Sequence, residues 1–150
     1  MNPFTGRSIV VPVDLSEASD RALAFAKELA TEPKQIIALH VGLPYPAVEP
    51  PYMYLIDEQV RCRELKESVR QRYEGATYDG IRIEVRYGDP GSEIASFANE
   101  VGAGLIIMPS HGRSELAHLL IGSVAERVIR YAPCPVLVLR GLSARQAVSA

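Results

Sequence analysis

The sequence predicts an α/β fold, an open and doubly wound sheet of five parallel strands with helices on both faces. Two observations predict it: short apolar runs recur along the chain, and segments with helical periodicity separate them. Most of the runs are unbroken, as in strands that are buried on both faces, whereas the third alternates apolar and polar residues. The runs are residues 9–13, 36–41, 81–87, 105–108 and 136–139.

The first half of the chain alternates strand and helix. Asp14 follows the first strand as a candidate helix cap, and an apolar stripe at helical spacing continues to Ala30. After the second strand, residues 43–54 are rich in proline. We interpret them as a stiff surface connection, with a lid as the alternative. A second helix is predicted over residues 55–74.

The second half repeats this alternation. The third strand has one polar face, which suits the edge of a sheet. Asp89 and Pro90 are typical of a helix N-cap and a first helical residue, so the third helix is expected to start there. The fourth helix is predicted over residues 124–131 and stops before Pro133. In such a sheet, ligands bind beyond the carboxyl ends of the strands, where the winding direction reverses.

Composition and charge narrow the functional classes. A chain of 150 residues with 47% hydrophobic and 23% charged residues fits a single domain, residues 1–150. Its net charge of -2 provides no general attraction to nucleic acid or to an anionic membrane. No segment has the apolar length of a signal peptide or a membrane span, and Cys62 and Cys134 lie in no metal-binding motif. We therefore expect a cytoplasmic protein without nucleic-acid or membrane partners.

The strongest chemical signal is a glycine and a serine after the fourth strand. Ser123 with Glu126 three positions later is typical of a capping box, which places Gly122 and Ser123 at a helix N-terminus. A glycine, a hydroxyl and unpaired amides at a helix start are the surroundings that a phosphate group prefers. The alternative is a turn followed by an ordinary helix start. The residues that could contact phosphate are Gly112, Arg113, Gly122, Ser123 and Val124.

Catalysis is not predicted. Neither a Walker A motif nor a Gly-x-Gly-x-x-Gly fingerprint occurs. His40 and His111 are interpreted as hydrogen-bonded histidines, because no serine stands beside a histidine and an acid in a nucleophile motif. Cys134, between two prolines, is interpreted as a structural thiol. Phosphotransfer to Ser123 is the weakest hypothesis, since neither a base nor a second metal ligand is evident.

Several motifs resemble the universal stress protein A family. They are Ser-His-Gly-Arg at 110–113, the nine residues between Gly112 and Gly122, Ser-Val-Ala-Glu-Arg-Val at 123–128 and Ala-Pro-Cys-Pro-Val-Leu-Val at 132–138. Residues 9–17 resemble the first strand and cap of that family, and residues 88–90 resemble its third-strand exit. The resemblance spans nearly the whole chain, with the elements in the family's order.

The resemblance implies a Rossmann-like sheet of the adenine nucleotide alpha hydrolase type, with strand order 3-2-1-4-5. It also implies that the chain binds ATP, or AMP or ADP, with Mg²⁺ on the phosphates. ATP-binding members carry Gly-x-x-Gly, nine residues, then Gly-Ser/Thr; Pro109 stands where the first glycine is expected, without an amide and with an added ring. The implied binding residues are Pro12, Val13, Asp14, Val41, Met108, Pro109, His111, Gly112, Arg113, Gly122, Ser123 and Val124.

Asp14 has two interpretations. As a strand-end carboxylate it would accept a hydrogen bond from a ribose hydroxyl or an adenine amine, and Ser16 would then cap the first helix. As a helix cap it would have Glu17 as its reciprocal partner. The resemblance favours the ligand role. Gly104, where many family members carry aspartate, is interpreted as structural.

Two functional hypotheses follow. The first is an ATP-binding stress-response or signalling protein with slow hydrolysis at most, acting as a homodimer. Its fifth strand, Val136 to Leu139, is an apolar edge that the same strand of a second copy would cover, as the resemblance implies. The alternative is a dimeric interaction module of the same fold that binds no nucleotide, and Pro109 points in that direction.

Overall fold

The computed structural model describes residues 2–43, 58–110 and 121–140. Over these residues, strands and α-helices alternate as predicted. The strands are β1 (Ile9–Pro12), β2 (Ile36–Gly42), β3 (Arg82–Tyr87), β4 (Leu105–Pro109) and β5 (Val136–Leu139). The helices are α1 (Glu17–Leu29), α2 (Glu58–Arg72), α3 (Pro90–Glu100) and α4 (Ser123–Tyr131). Residues 44–57 lie outside the described residues, so the choice between a surface connection and a lid stays open.

The sheet confirms the predicted fold and strand order. All pairings are parallel, and the order is β3-β2-β1-β4-β5. β1 lies at the centre, where Ile9, Val10 and Val11 are fully buried because helices cover both faces. β3, whose residues alternate apolar and polar, lies at an edge as expected.

The central strands separate at their carboxyl ends. The β1–β4 ladder includes only the pairs Ile9–Leu105 and Val10–Ile106. The β1–β2 ladder continues for two more residues, as far as Pro12 opposite Leu39. The winding direction reverses between β1 and β4, so the chain leaves these two strands toward opposite faces and a crevice opens between them.

Two apolar layers hold the helices against the sheet. On one face, Ile9 and Val11 pack with residues of α1 and α2 such as Leu23. On the other face, Val10 and Ile106 pack with α3 and α4. Each large apolar side chain that is fully buried in this way stabilises the fold by about 1.5–3 kcal/mol. The layers fix the positions at which α1 and α4 begin, beside the crevice.

The first helix is capped by Ser16, the residue assigned to this role if Asp14 serves a ligand. The Ser16 side chain accepts a hydrogen bond from the amide of Ser19. Glu17 is the first helical residue and forms an ion pair with Arg21 at 3.7 Å. The alternative in which Asp14 caps α1 with Glu17 as its partner is therefore wrong. The cap predicted for α3 is confirmed, since Asp89 accepts from the Ser92 amide at 2.9 Å and Pro90 is the first helical residue.

The capping box predicted at Ser123 is wrong by one residue. Gly122 is the N-cap of α4, no side chain caps it, and Ser123 is the first helical residue. The physical reason lies outside the local sequence: the Gly122 amide donates to the Ser110 carbonyl at 2.7 Å, which holds Gly122 in an extended conformation. The Gly122 carbonyl then accepts the first helical hydrogen bond, from Glu126 at 3.0 Å. The Glu126 carboxylate contacts Arg130 instead of the helix start.

The structure bears on the structural roles expected for Gly104 and for the two cysteines. A Cβ at Gly104 would lie 2.7 Å from the Arg7 Cβ, which supports a structural role for this glycine. Cys62 and Cys134 are free thiols, and burial raises the pKa of the Cys134 thiol, in keeping with a structural role. In the part of the chain that the structure describes, no helix has the length and apolarity to cross a membrane.

Candidate functional site

A cavity of about 390 Å³ lies at the carboxyl ends of β1, β2 and β4, in the crevice where these strands separate. The first turns of α1, α3 and α4 close its sides. The predicted binding residues that line it are Pro12, Val13, Asp14, Val41, Met108, Pro109, Gly122, Ser123 and Val124. The remaining three, His111, Gly112 and Arg113, lie outside the described residues.

The walls of the cavity between β1, β2 and β4 are mainly apolar. The side chains of Val13 and Met108 are each 4% exposed, and Val41 is half-buried. The Val13 amide donates to the Leu39 carbonyl at 2.8 Å, and the Val13 carbonyl lies 2.8 Å from Nδ1 of His40. His40 is thus the hydrogen-bonded histidine that the sequence predicts. These two contacts fix the backbone at the end of β1, directly before Asp14.

Asp14 is held by the start of α1. Its Oδ1 atom accepts from the Ser16 amide at 3.1 Å, from the Ser16 hydroxyl and from the Ser19 hydroxyl at 2.6 Å. Its own amide donates to the Ser19 hydroxyl oxygen at 2.9 Å. Leu15, between Asp14 and Ser16, has a φ of 65°, a left-handed conformation that is rare for a branched side chain. The turn after β1 is therefore a specific, hydrogen-bonded structure at the cavity wall.

The start of α4 forms the opposite side of the cavity. The Gly122 amide is used within the protein, because it donates to the Ser110 carbonyl. The next three amides, those of Ser123, Val124 and Ala125, precede Glu126, the first residue to donate within the helix. Such amides have no helical acceptor, and the helix dipole adds positive potential at this end. The donors for an anion are thus one residue later than the sequence predicts.

Pro109 ends β4 at the mouth of this cavity. Because the β1–β4 ladder stops at Val10 and Ile106, a missing amide at Pro109 breaks no hydrogen bond toward β1. On the other side, the next amide, that of Ser110, donates to the Leu139 carbonyl at 3.0 Å. The proline therefore fits the sheet and is one of the residues that line the cavity.

Several cavity residues were not predicted from the sequence. Leu39 and His40 precede Val41 on the same strand, and Ile94 is the fifth residue of α3. Pro90, Ser110 and Ala125 are sequence neighbours of predicted elements, so adjacency could have indicated them. Ser19 is different, because no sequence motif marks it and its contact with Asp14 forms across the turn at Leu15, whose φ is 65°. Among the lining residues that the structure describes, Asp14 is the one carboxylate and no lysine or arginine is present.

Comparisons with known proteins agree on one family. The model of the Universal stress protein family matches residues 6–140. Universal stress protein G of Escherichia coli O157:H7 is 36% identical over 142 residues, covering 89% of this chain and 99% of that protein. The structure of universal stress protein UspA from Lactobacillus plantarum superposes with a TM-score of 0.70 and 25% identity, covering 91% and 99% of the two chains.

A further structure shares the fold. It is a universal stress protein in complex with cAMP, with a TM-score of 0.59 and 23% identity, and the match covers 89% of this chain and 96% of that one. At this identity the similarity establishes the fold alone.

Proposed function

The chain belongs to the universal stress protein family, and on that premise we propose that it binds an adenine nucleotide, ATP or its products, and acts as a homodimeric stress-response or signalling module. The observation that carries this proposal is the cavity of about 390 Å³ at the separated ends of β1 and β4. It combines apolar walls, one carboxylate and the amides of a helix start, which are the three surroundings that a base, a ribose and a phosphate require. The proposal treats residues 1–150 as one domain of this family.

The adenosine is proposed to bind between the ends of the central strands. Val13, Val41 and Met108 provide an apolar surface for the base, and Pro12 and Pro109 border it. Asp14 would accept from a ribose hydroxyl or the adenine amine, since a carboxylate oxygen is an acceptor for both. Asp14 is the one carboxylate among the described lining residues. Its negative charge suits these neutral donors, whereas it would repel a phosphate group.

The phosphates are proposed to bind at the start of α4. The amides of Ser123 and Val124 and the Ser123 hydroxyl are donors for phosphate oxygens, and Gly122 leaves room for the ligand because it has no side chain. His111, Gly112 and Arg113 would complete the site from the adjoining loop, with the Arg113 guanidinium as a charge-assisted donor. Mg²⁺, when bound, would neutralise phosphate charge, and phosphate oxygens are among its preferred ligands. No catalytic residue is proposed.

Calorimetric titration of the purified chain with ATP, ADP and AMP, each with and without Mg²⁺, tests the proposal. We expect saturable binding of at least one of these nucleotides. Gly122→Val should abolish it while leaving the circular dichroism spectrum unchanged, because Gly122 has a φ of -64°, which valine adopts without strain. No binding at millimolar nucleotide would overturn the proposal.

A matched pair of serine variants separates ligand contact from helix stability. Ser123 and Ser92 both lie in the first turn of a helix, but only Ser123 lines the cavity. Ser123→Ala should weaken ATP binding, whereas Ser92→Ala should leave it unchanged. Equal effects of the two substitutions would contradict the placement of phosphate at α4.

The second candidate function is a dimeric interaction module that binds no nucleotide. Pro109 favours it, because the ring takes up space in the cavity wall and supplies no amide. This candidate predicts a dimer whose melting temperature does not change with ATP. A cytoplasmic location is proposed for either function, since Cys62 and Cys134 are free thiols, the state that a reducing compartment maintains.

A further inference from the structure

The turn between β1 and α1 contains a hydroxyl that contacts one residue twice. The Ser19 hydroxyl donates to Oδ1 of Asp14 at 2.6 Å, and the same oxygen accepts from the Asp14 amide at 2.9 Å. A single side chain thus fixes both the backbone and the carboxylate of Asp14. The Ser16 hydroxyl lies 3.3 Å from that of Ser19, so the two serines and the aspartate form one cluster.

Packing alone does not account for a serine at this position. Ser19 is 1% exposed, and the other buried residues of α1 are Ala22, Leu23 and Ala26. Alanine would suit this surface, because a buried hydroxyl is unfavourable unless it is hydrogen-bonded. The partner that satisfies this hydroxyl is Asp14, at the wall of the cavity that both residues line.

The backbone of the turn also needs to be held. Leu15 has a φ of 65°, and non-glycine residues persist in this conformation only where the surrounding contacts impose it. The contacts on either side of Leu15 are those of Asp14 with Ser16 and Ser19. Without Ser19, both the direction of the carboxylate and the backbone that carries it lose a restraint.

We infer, on the basis of the proposed function, that Ser19 is a positioning residue for the adenosine moiety and acts through Asp14. With Oδ1 engaged by Ser16 and Ser19, the carboxylate meets a ribose hydroxyl or an adenine amine in one orientation. A preorganised acceptor binds more tightly because less conformational freedom is lost on binding. Ser19 itself makes no proposed contact with the ligand.

The test uses Ser19→Ala and ligands that contain or lack adenosine. We expect affinity for ATP and for adenosine to fall by up to about tenfold, because a carboxylate side chain without this restraint loses more conformational freedom on binding. Affinity for inorganic triphosphate, which lacks adenosine, should stay within a factor of about two, because its proposed contacts lie on α4. Thr31→Val is the matched control, since it removes a hydroxyl hydrogen bond of 2.8 Å to Gln35 at the opposite end of the sheet.

A double-mutant cycle with Asp14→Ala tests whether Ser19 influences ATP affinity through Asp14. If Ser19 acts through Asp14, then Ser19→Ala causes no further loss of ATP affinity once Asp14 is replaced. If Ser19→Ala does not fold, Ser19→Cys nearly conserves the volume and provides only a weak donor, so the same losses are expected.

Three results would overturn the inference while leaving the proposed function intact. They are unchanged ATP affinity in Ser19→Ala, an equal loss for ATP and triphosphate, and a full loss that persists in the Asp14→Ala background. These differ from a failure of the proposed function, in which the unmodified chain itself binds neither ATP nor adenosine. That last result would overturn the inference as well.

Discussion

Pro109 and Gly122 illustrate how single residues adjust this cavity. Gly122 has no side chain, but its amide is used by the Ser110 carbonyl, so its contribution to a ligand is space. Pro109 has the opposite effect, since it brings a ring and no amide to the end of β4. For the proposed nucleotide, these two positions would together determine how closely the sugar approaches the backbone.

Replacing Pro109 with glycine should increase nucleotide affinity. The change supplies an amide and removes a ring from a residue that lines the cavity, so we expect ATP to bind up to about tenfold more tightly, the effect of one added hydrogen bond. The unfolded chain gains freedom, so the free energy of unfolding should fall by about 0.5–1 kcal/mol. Calorimetric titration and urea denaturation measure the two effects.

Pro33→Gly serves as the control for this prediction. Pro33 lies in a short 3₁₀ turn before β2, is exposed and does not line the cavity. It should show a loss of stability without any change in ATP affinity. Equal or weaker ATP binding by Pro109→Gly would mean that the ring does not limit access to the cavity.

The helix starts show which elements local sequence rules describe correctly. For α3, the pair of Asp89 and Pro90 predicts the cap, because the cap is formed entirely by neighbouring residues. For α4, the same type of rule selects Ser123 instead of Gly122, because the deciding hydrogen bond is donated by the Gly122 amide to the Ser110 carbonyl, twelve positions earlier in the chain. A local motif predicts an element boundary only where no distant contact competes with it.

The cap of α3 should make stability depend on pH. The hydrogen bond from the Ser92 amide, with a further contribution from Arg127, lowers the pKa of Asp89. A lowered pKa in the folded state stabilises the fold above the unfolded-state pKa of about 3.9, and this stabilisation is lost as the pH falls through the folded-state value. Asp89→Asn keeps an oxygen acceptor but cannot titrate, so it should lack this part of the pH dependence.

Urea denaturation of both proteins over a series of acidic pH values checks this prediction. The difference in free energy of unfolding between the unmodified chain and Asp89→Asn should be constant above about pH 5 and should shrink as the pH falls below about 4. Glu126→Gln is the control, since its carboxylate pairs with Arg130 on the exposed side of α4. Curves that stay parallel for Asp89→Asn at every pH would contradict the stabilising role of the ionised cap.

The sequence predicts the arrangement of the sheet more completely than it predicts the residues of the site. The periodicity of the sequence identifies the strands and their order along the chain. It gives no information on which strands are neighbours in the sheet, and so it does not predict that β1 lies beside β4. Strand order 3-2-1-4-5 came from the family resemblance, and the cavity follows from it because the crevice opens where β1 and β4 separate. Ser19 could not be predicted, since its role depends on the left-handed turn at Leu15, across which its hydroxyl contacts Asp14. Residue spacing contains no information on that contact.

The fifth strand connects the proposed dimer contact to the cavity. The Leu139 carbonyl accepts from the Ser110 amide at 3.0 Å, and the Ser110 carbonyl accepts from the Gly122 amide at 2.7 Å. Ser110 thus joins the end of β5 to the start of α4. If a second copy pairs with β5, then the partner subunit contacts one end of this hydrogen-bonded path and a ligand at α4 contacts the other. Each would then influence the backbone conformation that the other binds. By thermodynamic linkage, ATP and dimerisation should then affect each other's equilibrium by one common factor.

Charging the β5 edge should produce a monomer. Leu137 and Leu139 pack against one core layer and Val136 against the other, whereas Val138 belongs to neither among the described residues. Val138→Lys therefore leaves the core intact and places a positive charge on the β5 edge. Natural sheets use charged side chains in the same way, to prevent pairing between an exposed edge strand and another chain. The mass measured by light scattering should halve, with an unchanged circular dichroism spectrum.

Val60→Lys, at an exposed position on α2, should remain dimeric. A dimer that persists in Val138→Lys would locate the contact elsewhere, because a lysine at this position would have to lose its hydration inside the proposed interface.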